Sequence, residues 1–552
     1  MPNQETAVIE LLARKRYEKI LWASVALICF AMLATSNLWG VVETSEARYA
    51  EISREMLRSG DWMHPKLLGI YHYHKPPLTY WLTATAMNLF GINPFAVRFF
   101  LVVAFALQVL LIYRISATLF KNAFTPLYAA SVYASTPIVL ISVRGLTTDA
   151  YTMLWTLLAI FSWVKFRSED RRSYLWIFSL AVGLSCLTKG PVAFAIIIPF
   201  VIGTWPMFPT IQKRATDLFL GFLIIIGVGF GWFIFLIIQD IRFLDYFLLH
   251  HLVDRIAHAE MFSRREPWYY YLPIIPLISL PWTVVHVFGV RQVSVLPRDK
   301  RTFIKVLIWS IGIPLIIYSV SSSKLLLYIL PIFAGFSMAT GHLLATSDST
   351  KNRAVLIAPV ILIYLALLIA PFFITDLVVT NFMIIIALTV LLAAVSLFLS
   401  NMSYQVFILS TSTLFATSLI LYSSMLFKSN ALKVNSTTPI AAFIKERGFA
   451  NRNILIYNEL LPSIAFTLDK MVISVHADNS SLERETQFEV DAAWRKNLIH
   501  IRSALPRDFL VLIFQQPYIF IVKRDLPASI KLLVPRNSKK QKLERWTIYY
   551  SD

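Results

Sequence analysis

The 552-residue sequence has only two cysteines, Cys29 and Cys186, and both lie inside apolar runs. That excludes a disulfide framework and a thiolate metal site, and it argues against redox chemistry. Charge is scarce too: 15% of residues are Asp, Glu, Lys or Arg against 57% hydrophobic, and the mean hydropathy is +0.63. Such a composition does not describe a water-soluble surface. The period-two alternation of an outer-membrane barrel is missing, and so is any visible inverted repeat of the kind that marks many transporters. A helical, multi-pass membrane protein remains.

Apolar stretches of roughly 20 residues, each long enough to cross about 30 Å of hydrocarbon as a helix, recur from Ile20 to Phe427. The candidate spans are 20–41, 94–118, 123–143, 147–166, 173–188, 190–206, 215–238, 270–290, 303–320, 325–345, 354–374, 378–400 and 405–427, about thirteen in all. The first follows ARKRYEK and exceeds the 7 to 15 residues usual for a cleaved signal core, so it reads as retained. The net charge of +19 would suggest nucleic acid in a soluble protein. Here much of it sits in short segments between spans (Lys165/Arg167/Arg171/Arg172, Lys213/Arg214, Arg291/Arg298/Lys300/Arg301, Lys351/Arg353), which reads as membrane orientation, with no nucleic-acid partner. With the N-terminus in the cytoplasm these segments are all cytoplasmic, and an odd number of spans sends the C-terminus outside.

The expected domains are therefore 1–427, a transmembrane domain with long outer loops 42–93 and 239–269, and 428–552, a small soluble α/β domain. In the latter, IAAFIKERG reads as a helix closed by Gly448. NILIYN, KMVISVH, FLVLIF, YIFIVKR and RWTIYY read as strands, with a helix around Val490 to Ala504. This tail lacks the glycine-rich loop of a nucleotide enzyme.

Chemistry is sought among polar residues of the outer loops. Glu43, Glu46, Arg48, Glu51 and Arg54 fall on one expected helix. Glu51 and Arg54, at i,i+3, read as a surface ion pair, whereas Glu46 stands just beyond the first span, where a carboxylate can face a cavity at membrane level. Lys75 precedes Pro76 and Pro77, which fix the chain and hold the ammonium in one place. His72 and His74, at spacing two on an extended segment, point the same way and are candidates for a divalent metal. Asp149 in RGLTTDAYTMLW begins a span, where an N-cap is the ordinary reading and an acid entering the membrane the functional one. His250, His251, Asp254, Arg255, His258, Arg264 and Arg265 crowd the second loop, and Arg255 suits phosphate oxygens. Lys324 and Tyr328, at i,i+4, place a cation and a hydroxyl at the outer end of another span. An anion on a greasy tail is the substrate class that such a cationic site fits.

The segments SEARYAEISREMLRSGDW, HKPPLTYW, TTDAYTMLW, LTKGP, REPWYYYLP and SSSKLLLYILP occur in order over the first 335 residues. As a set they resemble the bacterial 4-amino-4-deoxy-L-arabinose lipid A transferases and the wider protein-mannosyltransferase-like enzymes of GT-C fold. The resemblance implies an all-α polytopic membrane domain with an α/β extracytoplasmic tail in the bacterial inner membrane, moving a sugar from a polyprenyl phosphate to a periplasmic-side acceptor such as a lipid A phosphate. By the same resemblance Glu46 and Asp149 are membrane-edge acids, Lys75 and Arg255 contact the donor phosphate, and Lys324 and Tyr328 line the carrier-lipid side. Arg48 is grouped with these donor and carrier residues. Many members carry Asp-Glu where this chain has Ser45-Glu46, which makes Glu43 a possible substitute acid. Many also carry a carboxylate where it has His74, although His74 with His250 or His251 still offers a metal site. Glu46 or Asp149 serves as a base for a hydroxyl acceptor, or as an orienter of Lys75 or substrate for a phosphate acceptor. The alternatives are O-glycosylation of a protein or another glycan, and transport of a lipid anion.

Overall fold

The computed structural model describes residues 4–208, 215–247, 266–289, 297–346, 349–374, 376–476, 485–501 and 510–551. The chain divides into two units: Met1–Thr35, Leu101–Arg144 and Thr148–Leu426 form one, and Ser36–Phe100, Gly145–Thr147 and Phe427–Asp552 the other.

The first unit is helical, and it makes the protein a multi-pass membrane protein. Among the described residues seven helices of the chain are long and apolar enough to cross a bilayer, or eight if the bent pair Thr125–Ser135 and Pro137–Arg144 is one span. That pair turns by 54° because Pro137 has no N–H and cannot continue a helix past Thr136, whose ψ of 124° is the extended setting favoured before proline. Other apolar segments are helical but short or interrupted, such as Phe194–Thr204, and Tyr271–Ile278 with Thr283–Gly289. Seven or eight helices thus meet both the length and the composition of a span among the described residues.

The second unit is built on a six-stranded sheet with order β5-β4-β3-β6-β8-β7. A separate hairpin supplies β1 (Lys66–Leu67) and β2 (Ile70–Tyr71). In the sheet β3 (Asn453–Tyr457) pairs in parallel with β4 (Ile473–His476) and β6 (Tyr518–Val522). Strand β5 (Leu498–His500) continues the parallel part, and β8 (Trp546–Tyr550) and β7 (Lys539–Leu543) close the other side antiparallel. Alternation along β3 gives two cores. Ile454 and Ile456 face Ile440, Ile444 and Ile464, while Leu455 and Tyr457 face Leu510, Ile513 and Phe514.

Two tail expectations are corrected. The described part of FLVLIF, residues 510–514, is helical and not a strand. Its buried Leu510, Ile513 and Phe514 at i, i+3, i+4 and exposed Val511 and Leu512 show the helical period that a short apolar run conceals. The expected helix around Val490 to Ala504 is a short 3-10 turn, Ala493–Lys496, followed by β5.

Residues 42–93, read from sequence as a loop of the membrane domain, pack with the tail. Helix Ser45–Ser59 ends at Gly60, whose φ of 74° the missing Cβ permits, and it buries Ile52 and Met56, one turn apart, in the core beside Ile454 and Ile456. Ile52→Ala should cost about 2–5 kcal/mol through the cavity it leaves, read as a lowered unfolding temperature of the purified protein. An unchanged temperature would show that this helix does not depend on the sheet.

Candidate functional site

Glu46 lies in the first turn of helix Ser45–Ser59 and is 5% exposed. Its partner is Arg98, a fully buried residue that the sequence reading passed over inside an apolar span. The Arg98 Nε donates to Glu46 Oε1 at 2.9 Å and the guanidinium Nη2 to Oε2 at 2.9 Å, a bidentate fork. The Val42 and Leu146 amides donate to the same carboxylate at 2.9 and 3.2 Å. Arg98 spends its remaining N–H groups on the carbonyls of Ser36, Trp39 and Gly40, and its guanidinium stacks 3.4 Å from the Trp39 ring centroid. The expected support of Lys75 by Glu46 is thus replaced in these contacts by support of Arg98. Its place just beyond the first span drew attention to Glu46; an arginine in the second turn of a 26-residue apolar helix was the missed signal.

Glu43 does a different job. Its Oε1 accepts the Ser463 amide at 2.9 Å at the start of helix Pro462–Leu468. Burial of the carboxyl pushes its pKa to about 8, against the opposing hydrogen bond from Ser463 and the nearby charge of half-buried Arg48. Glu51 and Arg54 are not a surface pair. Both are buried, joined at 2.6 and 2.8 Å, with Asp469 accepting from Arg54 at 3.0 Å, because the tail packs over this helix. Burial raises the Glu51 pKa well above the usual carboxylate range.

Lys75 is half-buried, directly before helix Leu78–Phe90. Beside it in sequence, His74 Nε2 lies 2.5 Å from Glu485 Oε1, and the His72 and His74 rings are 4.1 Å apart between centroids.

In the membrane unit, Asp149 sits in the first turn of helix Thr148–Glu169, and Lys189 is the last residue of helix Arg172–Lys189, so each charge complements the dipole of its helix. Lys189 Nζ donates to Asp149 Oδ1 at 2.5 Å and stands 4.5 Å from the Tyr328 ring centroid. Gly190, at φ 78°, and Pro191 end one helix and begin the next, so LTKGP fixes where the lysine projects. In the sequence LTKGP stood out as one of the resembling segments, and Lys189 was overlooked as a partner of Asp149. Lys324 Nζ donates to the Glu266 and Ser321 carbonyls at 2.9 and 2.6 Å, and burial lowers its pKa. Arg255, His250 and His251 lie outside the described residues.

The model for the family Dolichyl-phosphate-mannose-protein mannosyltransferase matches residues 19–247. Curated relatives named undecaprenyl phosphate-alpha-4-amino-4-deoxy-L-arabinose arabinosyl transferase are 31% identical over 57% of this chain in Pectobacterium carotovorum, and 30% identical over 62% in Pseudomonas aeruginosa. Those matches span 58% and 62% of the relatives' own length. The crystal structure of ArnT from Cupriavidus metallidurans bound to undecaprenyl phosphate superposes with a TM-score of 0.76 over 96% of this chain and 97% of that one, at 18% identity. Its apo form gives 0.75 over the same shares.

Two outcomes test the site. Glu46→Gln leaves the buried Arg98 cation without its counter-charge and should cost about 3–5 kcal/mol, seen as loss of monodisperse protein on size exclusion. A well-folded Glu46→Gln protein would show that the pair is dispensable. Because burial raises the Glu43 pKa from its ordinary 4.5 to about 8, its neutral form contributes stability that is full below pH 4.5 and lost as pH rises through 8. Thermal unfolding of Glu43→Gln should therefore fall less than wild type between pH 6 and 9, and parallel curves would contradict the assignment. On these comparisons the chain has the fold of ArnT from Cupriavidus metallidurans.

Proposed function

We propose that the protein is a glycosyltransferase of the bacterial inner membrane that moves 4-amino-4-deoxy-L-arabinose, or another amino sugar, from a polyprenyl phosphate to a lipid A phosphate. The carrying observation is the 30–31% identity to transferases of that name, extended by the fold that nearly the whole chain shares with ArnT. The finer parts of the reading are about thirteen spans, a periplasmic active site and a periplasmic α/β tail.

In an inverting transfer the acceptor oxygen attacks the anomeric carbon and the polyprenyl phosphate leaves with the bonding electron pair. That leaving group needs charge stabilisation, not protonation, and fixed cations supply it best in a site shielded from water. Lys75 and Arg255 are assigned to the donor phosphate, Lys324 and Tyr328 to the carrier side, and Arg48 is grouped with them. A phosphate acceptor is already anionic, so neither acid has to remove a proton. The contacts of the two acids favour that case: Glu46 holds Arg98, and Asp149 holds Lys189. Both are then positioning residues.

Single-turnover transfer by the purified protein, with undecaprenyl phosphate-aminoarabinose and lipid A, tests this reading. Lys75→Ala should abolish transfer in a protein that still folds, while Asp149→Asn should weaken it without deleting a limb of the pH profile. A base would cost about 10²- to 10⁴-fold and remove the acidic limb, moving the protein towards hydroxyl acceptors on protein or glycan. Wild-type turnover by Lys75→Ala would remove Lys75 from the donor phosphate.

A further inference from the structure

His72, His74 and Glu485 converge so that one ligand atom from each lies within 4.8 Å of the other two. The chain arrives there by two separate devices. His72 and His74 follow strand β2 at spacing two, which sends both rings to one side, and the His72 amide is fixed by the Pro65 carbonyl at 2.8 Å. Opposite them the turn Thr486–Phe488 is held by its two flanking glutamates: Glu489 Oε1 accepts the Tyr71 amide and Glu485 Oε2 the Tyr73 amide, each at 2.8 Å. Phe488 packs edge-on to Tyr73 at 5.4 Å. Glu485 thus has one oxygen anchored on the backbone and presents the other, Oε1, to His74 Nε2 at 2.5 Å.

We infer that His72, His74 and Glu485 form a binding site for a zinc-class divalent ion, which pins the segment before Lys75 to the turn at 485–489. Two imidazole nitrogens and one carboxylate oxygen suit zinc or cobalt; magnesium and calcium prefer sets made of oxygen. With metal–ligand bonds of about 2.0–2.2 Å, tetrahedral ligand atoms stand about 3.4 Å apart, so the present cluster needs shifts of only about 1 Å to close on an ion. His72 is 6% exposed, while His74 and Glu485 are half-buried, which leaves an open side for entry and for a fourth ligand. The His72 and His74 ring centroids stand 4.1 Å apart, which brings both imidazoles to the side of Glu485. This site differs from one built on His74 with His250 or His251, and it does not depend on the transfer reading.

The test is metal content of the untagged full-length protein in detergent, after chelation, reloading with zinc or cobalt and removal of free ion. Wild type should retain about one ion per chain and, with cobalt, show a visible d–d band of four- or five-coordinate geometry; excess magnesium should not displace it. His72→Ala and Glu485→Gln should each lose the ion, while His64→Ala and the double variant His250→Ala/His251→Ala keep it. Retention of a full ion by Glu485→Gln, or its loss in the double variant, would overturn the ligand set. Failure of stripped and reloaded wild type to bind would overturn the site itself, and that measurement requires no variant to fold.

Discussion

The structure turns on a single buried ion pair, Glu46 with Arg98. A guanidinium with no exposed surface is tolerable only because every one of its directions meets an acceptor: two carboxylate oxygens, three backbone carbonyls and the face of Trp39. The three carbonyls belong to the stretch that leaves the first membrane helix, the carboxylate to the first turn of the next helix, and the carboxylate also takes the Val42 and Leu146 amides. Segments distant in sequence, around Gly40, Arg98 and Leu146, are therefore locked to one another within the second unit. The helix that bears Glu46 in turn carries Ile52 and Met56 into the sheet core and Arg54 to Asp469, so the loop that bears Lys75 takes its shape from the tail as well.

What was legible from sequence was whatever has a period or a length. Apolar stretches of spanning length indicated a polytopic helical protein, and the short apolar run NILIYN and the alternation in RWTIYY indicated strands where the structure has β3 and β8. The bend at Pro137 was not legible, because a proline there leaves the apolar count unchanged while bending the helix. Strand β7 escaped for the opposite reason: KKQKL is an edge strand, and its lysines carry no apolar alternation.

The candidate site was legible as a set of residues and not as a set of partners. Glu46, Asp149, Lys75 and His74 could be singled out because polar groups are rare near membrane spans. Arg98, Lys189 and Glu485, which the structure places against three of them, sit in an apolar run, a Gly-Pro break and the tail, and no local pattern joins them to their partners. Only tertiary structure makes those pairs. It also changes their chemistry, since an acid held by a buried arginine is an anchor, whereas the same acid read in isolation looks like a base.

The proposed role of this framework is transfer of an amino sugar from a lipid phosphate to lipid A. Mass spectrometry of lipid A from cells with and without the gene addresses it most directly. The account predicts that a species one aminopentose heavier disappears on deletion and returns when the wild-type gene is restored. An identical lipid A profile in both strains, with a sugar lost from a protein or another glycan, would contradict it.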